Sequence, residues 1–179
     1  MKLNLGCSDE RKPGYVGVDC APGPAVDQIA NLDARWPWKE STIDEIYAHD
    51  VFEHMGSIHQ ILGFPRQESI EVPGKIWCMN EGHRVLRPGG ILDLAVPCCH
   101  MADGRVNIGA FADPTHRTYW TIDDCYFFLE QWNNPKGERG RLGPAYGITA
   151  LFRGSWELRE YGDGRERRAK IFARLEAVK

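Results

Sequence analysis

The sequence has no apolar run long enough to cross a bilayer and no strong excess of either charge. Its 179 residues include 22 lysines and arginines against 25 aspartates and glutamates, for a formal net charge of -3. A membrane-spanning helix needs about 20 consecutive apolar residues, and a strongly basic surface is what attracts nucleic acid or an anionic membrane. The basic residues between Arg165 and Lys170 are interrupted by Glu166, which is typical of a solvated turn. We therefore expect neither a membrane nor a nucleic-acid partner.

The cysteines lack the spacing of a disulfide framework or of a zinc site. They are Cys7, Cys20, Cys78, Cys98, Cys99 and Cys125. No Cys-x-x-Cys pair occurs, and the adjacent Cys98 and Cys99 would point to opposite sides of a strand. Charged residues follow the first apolar run at once, which does not fit a signal peptide. We expect buried thiols, no metal site, and a reduced, cytoplasmic protein.

The chain also lacks internal repeats, low-complexity tracts and a full Gly-x-Gly-x-x-Gly fingerprint. The missing fingerprint counts against an oxidoreductase that uses a nicotinamide cofactor. With 42% hydrophobic and 26% charged residues, a chain of this length suits one compact domain with a sizeable core. We therefore expect residues 1–179 to form a single domain.

Two short apolar runs near the start organise the rest of the chain. The first ends at Gly6 and the second ends at Asp19, and the pattern predicts two strands joined by a loop. A glycine at a strand end lets a ligand approach the backbone, and a carboxylate can accept both hydroxyls of a ribose. Taken singly, Gly6 could simply end a strand and Asp19 could form a turn.

Further strands and helices alternate along the chain. Strands are predicted over residues 25–30, 45–48 and 91–96, and helices over 51–62, within 68–86 and over 125–129. Residues 156–161 and 169–178 alternate polar and apolar side chains around a turn at 162–164, which predicts an antiparallel hairpin. The aromatic run Tyr126-Phe127-Phe128 is expected in the core. This order favours an α/β fold with a mostly parallel sheet finished by a hairpin.

The carboxyl ends of the predicted strands carry groups that suit a nucleoside. In an open parallel sheet, ligands bind beyond these ends, near the point where the strand order reverses. The candidate binding residues are Asn4, Gly6, Cys7, Asp19, Asn31, Leu32, His49 and Asp50. Asp19 can hold a ribose, and Asn31 with the Leu32 amide can address the edge of an adenine. His49 and Asp50 lie where the reacting end of the ligand would come.

Taken in order, these motifs resemble those of the Rossmann-like (class I) S-adenosylmethionine-dependent methyltransferases. Leu3-Asn4-Leu5-Gly6-Cys7 and residues 14–19 resemble the family's glycine motif and ribose-binding acid. Residues 36–47 and Phe52-Glu53-His54 resemble the segments before and after its fourth strand. Arg84-Val85-Leu86-Arg87-Pro88-Gly89-Gly90 is the most specific match, and the resemblance covers about residues 2–97.

The resemblance implies a Rossmann-like α/β sandwich with S-adenosylmethionine as its cofactor. Gly6 would pass the methionine portion, Asp19 would hold the ribose, and His49 would lie near the sulfonium. Asn31 and Leu32 would face the adenine. The sequence departs from the family in two places: Cys7-Ser8 follow Gly6 where more glycine is usual, and Asn31 replaces an acid. The amide oxygen of Asn31 can still accept a hydrogen bond from adenine.

The sequence says less about the methyl acceptor than about the cofactor site. A methyltransferase must place the acceptor and exclude water, and it needs a general base only for a poor nucleophile. His116 is the candidate base, although a loop histidine can instead serve as a structural hydrogen-bonding group. His54 and His100 are weaker candidates for the base.

We expect methyl transfer to a small-molecule or glycan-like acceptor. The alternative is a catalytically inactive module that binds S-adenosylmethionine or a nucleoside and acts with a partner. The oligomeric state is left open.

Overall fold

A computed structural model describes residues 1–56, 59–64, 67–130, 142–163 and 167–179. Seven of the described strands form one sheet: β1 (Lys2–Leu5), β2 (Val16–Asp19), β3 (Gln28–Ile29), β4 (Ile43–His49), β7 (Leu86–Pro97), β8 (Phe152–Tyr161) and β9 (Arg168–Ala177). Two more, β5 (His59–Phe64) and β6 (Gln67–Val72), pair antiparallel with each other. The described helices are α1 (Gly74–Val85), α2 (Gly109–Ala112), α3 (Ile122–Tyr126) and α4 (Leu142–Ala145).

The large sheet has the strand order β3-β2-β1-β4-β7-β9-β8. Strands β3, β2, β1, β4 and β7 run parallel to one another, and β9 is antiparallel to both β7 and β8. The predicted α/β class, with a mostly parallel sheet and a C-terminal antiparallel hairpin, is confirmed. The chain leaves β1 toward β2 on one side and later returns to place β4 on the other. The strand order therefore reverses between β1 and β4.

The strand register separates an apolar face from a polar one. Leu5 lies opposite Ala48, which lies opposite Leu94, and all three side chains are buried. One residue earlier in each strand, Asn4, Tyr47 and Asp93 lie opposite one another. Because side chains alternate along a strand, this second row faces the other side of the sheet. The same register therefore builds the core and sets a polar row beside the carboxyl ends of β1 and β4.

The core lies on the apolar face, under α1 and α3. Helix α1 contributes Cys78, Met79 and Val85, which are fully buried. Helix α3 begins with a capping box: Thr121 Oγ1 accepts a hydrogen bond from the Asp124 amide, and the Asp124 carboxylate accepts one from the Thr121 amide. None of the described helices is long and apolar enough to cross a membrane.

Some predicted elements are wrong in kind or extent. Where a helix over 51–62 is predicted, the described residues form a 3-10 turn at Phe52–His54, and β5 begins at His59. An apolar run of this length has no periodicity that separates a helix from a strand, and β5 is stabilised by its pairing with β6. The strand predicted over 25–30 is reduced to β3. Phe128 is buried as predicted, whereas Phe127 is 45% exposed.

The cysteines are all free, and only Cys20 is exposed, so the prediction of buried thiols holds for the other five. The predicted hairpin is confirmed by β8 and β9, which pair over their whole lengths. A few residues that carry predictions lie outside the described part of the chain: Ile58 of the predicted helix, Gly164 of the hairpin turn, and Arg165 and Glu166 of the basic cluster.

Candidate cofactor cleft and histidine cluster

A cleft of about 350 Å³ opens at the carboxyl ends of β1 and β4, where the strand order reverses. Five of the eight candidate binding residues line it: Asn4, Gly6, Cys7, His49 and Asp50. The other three, Asp19, Asn31 and Leu32, lie at or beyond the ends of the neighbouring strands β2 and β3. The volume is within the ~300–1,000 Å³ range of small-molecule sites.

Gly6 lies where the loop after β1 closely approaches the segment after β4. Its φ angle of 63° lies in the left-handed region, and a Cβ atom at this position would lie 2.5 Å from Val51 Cγ2. Any side chain here would therefore strain the backbone and collide with the segment that follows β4. A glycine is therefore required where the loop after β1 passes the segment after β4.

The neighbours of Gly6 support the loop between β1 and β2. Asn4 is 5% exposed, and its Nδ2 donates to the Glu10 carbonyl at 3.1 Å. The Cys7 amide donates to the Val18 carbonyl, and its thiol lies 3.5 Å from the Ala25 carbonyl. Burial raises the pKa of the Cys7 thiol, so this residue is a packed thiol rather than a nucleophile.

Asp19 is held by the backbone of its own loops. Its carboxylate accepts hydrogen bonds from the Ser8 amide at 3.0 Å and from the Ala21 amide at 3.3 Å. Burial alone would raise the pKa of Asp19, but these hydrogen bonds outweigh it and leave the pKa below its usual value. The carboxylate is therefore ionised at neutral pH and fixed in orientation. Cys20 adds further hydrogen bonds to the same carboxylate, from its amide and its thiol.

The amide oxygen of Asn31, which the sequence predicts to face an adenine, is already hydrogen-bonded within the loop after β3. Asn31 Oδ1 accepts from the Asp33 amide at 3.0 Å, forming a local turn. Leu32 is 5% exposed, and its carbonyl accepts from Trp36 Nε1 at 3.0 Å. An adenine at this position would share Asn31 Oδ1 with the Asp33 amide.

His49 is fixed by aromatic and polar contacts across the sheet. Its ring stacks on Tyr47 with centroids 3.8 Å apart, and its Nε2 lies 2.7 Å from Asp93 Oδ1. That hydrogen bond is the main reason that the pKa of Asp93 is lowered. The next residue, Asp50, has a φ angle of 56° and pairs with Lys170 Nζ at 2.5 Å. Positive φ angles at non-glycine residues are strained and tend to occur at functional sites.

Two further residues of the cleft, Lys12 and Tyr47, are not predicted from the sequence. Lys12 Nζ lies 3.9 Å from the centroid of the Tyr47 ring and 5.2 Å from that of Tyr15. These are cation–π distances. Burial, followed by a hydrogen bond with Glu45, raises the pKa of Tyr15 to about 12. Tyr47 could have been found from its position two residues before His49, on the same face of β4.

The candidate base His116 lies in a separate cluster with Glu53 and His54. One ligand-type atom from each of the three side chains lies within 4.8 Å of the others. Glu53 is 1% exposed, and burial raises its pKa to about 8. His116 Nδ1 lies 2.8 Å from the Ala110 carbonyl, and its Nε2 lies 3.8 Å from Asp113 Oδ2. The weaker candidate, His100, is exposed.

Comparison with known proteins gives a match of fold and none of sequence. No protein-family profile matches the chain, and no curated protein sequence matches it. The 1,6-didemethyltoxoflavin-N1-methyltransferase of Burkholderia thailandensis, with bound 1,6-didemethyltoxoflavin and S-adenosylhomocysteine, matches with a TM-score of 0.57 at 14% identity. The match covers 99% of this chain and 71% of that chain. An S-adenosylmethionine-dependent methyltransferase from Methanosarcina mazei matches with a TM-score of 0.55 at 12% identity, over 99% and 92% of the two chains.

This chain therefore has the class I fold of S-adenosylmethionine-dependent methyltransferases. At 12–14% identity, the fold is what these proteins share with it.

Proposed function

We propose that this protein binds S-adenosylmethionine at the carboxyl ends of β1, β2 and β4 and transfers its methyl group to a small-molecule or glycan-like acceptor. One observation carries the proposal: the cleft lined by Gly6 and His49 lies where the strand order reverses, which is where open α/β sheets bind ligands. The fold match supports it, because one of the matched proteins holds S-adenosylhomocysteine.

The residues of the cleft fit this cofactor. When bound, S-adenosylmethionine supplies a methyl group on a sulfonium, with the leaving group built in. Gly6 leaves the backbone open to approach, and the ionised, oriented carboxylate of Asp19 can accept from ribose hydroxyls. Lys12 lines the cleft and would pair with a methionine carboxylate, whereas Arg11, which also lines it, is already paired with Asp27 at 3.1 Å. Asp50 and Tyr47 also line the cleft, where they already contact Lys170 Nζ and Lys12 Nζ.

The base assigned to His116 stays a prediction. A carbonyl oxygen can only accept a hydrogen bond, so His116 Nδ1 carries the proton toward Ala110, and Nε2 of the neutral ring has a free lone pair. That lone pair can take a proton from an acceptor hydroxyl. An acceptor screen that compares wild type with His116→Ala tests this role, and unchanged turnover would exclude it.

Calorimetric titration with S-adenosylmethionine and S-adenosylhomocysteine tests the proposal. We expect Asp19→Ala to bind at least ~10-fold more weakly than wild type, because hydrogen bonds to a charged group are lost. The matched control is Asp163→Ala, which removes an exposed carboxylate from the hairpin turn and should bind like wild type. Absence of binding by the wild type would contradict the proposal. Binding without turnover on a broad acceptor panel would favour the inactive module.

A further inference from the structure

Hydrogen bonds join two chain segments beside the cofactor cleft. The turn Phe52–His54 follows β4, and the segment around His116 follows α2. The Glu53 carbonyl accepts hydrogen bonds from the amides of Arg117 at 2.7 Å and Thr118 at 2.9 Å. Thr118 Oγ1 adds a third bond, to the Phe52 carbonyl at 2.9 Å. These bonds fix the backbones that carry Glu53, His54 and His116, so their proximity is built into the fold.

The Glu53 side chain is buried, and its two oxygens are unpartnered among the described residues. The residue is 1% exposed. A buried carboxyl group without partners is costly, and proteins place such groups against a cation or a donor. Lys170 interacts with Glu53 through its charge, but it is already paired with Asp50 at 2.5 Å. A further cation between Glu53 and the two histidines would remove the cost.

The hydrogen bonds of the two histidines define their tautomers. The hydroxyl of Thr115 donates to Asp113 Oδ1 at 2.6 Å, so its oxygen can only accept from His54 Nδ1 at 3.0 Å. His116 Nδ1 faces the Ala110 carbonyl, which also only accepts. Both neutral rings therefore carry the proton on Nδ1 and leave Nε2 with a lone pair. Metal-binding histidines typically have this arrangement, with one ring N–H donated to a carbonyl, hydroxyl or carboxylate.

We propose that Glu53, His54 and His116 form a binding site for a divalent transition-metal ion such as Zn²⁺. Two imidazoles and one carboxylate are a ligand set found in zinc sites that keep a further position open. Imidazole ligands favour zinc and its neighbours over magnesium or calcium. The three ligand-type atoms lie within 4.8 Å of one another, and tetrahedral bonds of about 2.1 Å would bring them to about 3.4 Å by side-chain rotation. Asp113, 3.8 Å from His116 Nε2, stands at the exposed side of the site.

The metal site would also bind the methyl acceptor, and this role in acceptor binding rests on the proposed function. The cluster follows β4 directly after Asp50, which lines the cofactor cleft. An ion with an open position would bind an oxygen of the acceptor and lower the pKa of a bound hydroxyl. A metal-bound His116 has no free lone pair and would not be the general base. The metal site and the base role of His116 are therefore alternatives.

Metal binding is measured without the cofactor. Wild-type protein stripped with a chelator is titrated with Zn²⁺ by calorimetry, and Co²⁺ is used as an optical probe of the ligand geometry. We expect one ion per chain, with Glu53→Gln and His116→Ala each weakening the affinity more than ~10-fold. Saturating Zn²⁺ should raise the melting temperature of the wild type and not that of Glu53→Gln, which keeps the shape of the buried side chain.

Two control variants separate this site from accidental binding. His100→Ala removes an exposed imidazole and Cys20→Ser removes the one exposed thiol, and both should bind Zn²⁺ like wild type. The proposal is overturned if the wild type binds no ion, if Glu53→Gln binds as tightly as wild type, or if Cys20→Ser abolishes binding. Binding of S-adenosylhomocysteine by the same preparations reports separately on the proposed function.

Discussion

His49 Nε2 and Asp93 Oδ1 lie 2.7 Å apart and join the side chains of two adjacent parallel strands, β4 and β7. The contact fixes the imidazole at the edge of the cofactor cleft, against the ring of Tyr47. A cleft wall held this way does not have to be ordered when a ligand binds, which lowers the entropic cost of binding.

The pair makes stability depend on pH in a defined direction. The hydrogen bond from His49, with further help from the charges of Arg174 and Lys12, lowers the pKa of Asp93. A carboxyl group with a lowered folded-state pKa contributes stability above its unfolded-state pKa, about 3.9, and loses that contribution as the pH falls through the folded-state value. We expect Asp93→Asn to lower the free energy of unfolding at pH 7 and to have a smaller effect at pH 3. Urea unfolding at both pH values measures this.

The control for this prediction is Asp163→Asn, an exposed carboxyl group in the hairpin turn. Its effect should be small at both pH values. If Asp93→Asn lowers the free energy of unfolding equally at pH 3 and pH 7, the charge of Asp93 does not account for its contribution to stability.

Gly6→Ala should destabilise the protein more than Gly14→Ala. Both glycines have positive φ angles, 63° and 81°, but a Cβ at Gly6 would lie 2.5 Å from Val51 while one at Gly14 would meet nothing within 4 Å. The left-handed backbone alone costs about 1 kcal/mol for alanine. The collision at Gly6 should raise the cost to about 3 kcal/mol. Urea unfolding of both variants tests the difference. Equal losses in the free energy of unfolding would show that the Val51 side chain can move away without an energetic penalty.

Arg84 should matter for stability, while Arg87, three residues on in the same motif, should not. Arg84 donates to the buried Glu81 and to the carbonyls of Trp36 and Trp38, all within 3.1 Å. Its removal leaves Glu81, 5% exposed, without its charged partner. We expect Arg84→Met to cost about 3 kcal/mol. Arg87 pairs with Asp44 at the surface, so Arg87→Met should cost under ~1 kcal/mol. Thermal or urea unfolding compares the two, and a similar loss in both would contradict the assignment.

The strand ends were predictable because their signals are local. An apolar run stopped by Gly6, by Asp19 or by His49-Asp50 marks the end of a buried strand wherever the strand lies in the sheet. The hairpin β8–β9 was predictable for the same reason, since each strand alternates and a glycine-containing turn joins them. The motif from Arg84 to Gly90 served as a family marker, whereas the structure shows Arg84 as an anchor for the loop at Trp36 and Trp38.

Other features depend on contacts between distant residues. Lys12 reaches Tyr47 only once the loop after β1 folds back over β4, and Asp93 meets His49 only through the register of β4 with β7. His54 and Thr115 are 61 residues apart in sequence. No local pattern joins Glu53, His54 and His116, so the sequence alone could not bring them together. The helix prediction was wrong at β5 for a related reason, because pairing with β6 decides the structure of that segment.

The most direct test of the account is a crystal structure with S-adenosylhomocysteine. We expect the ribose hydroxyls within hydrogen-bonding distance of Asp19 and the sulfur in the cleft beside His49 and Asp50. The open space next to that sulfur should face the cluster of Glu53, His54 and His116. Electron density for the product outside this cleft, or none at saturating concentration, would contradict the proposed cofactor site.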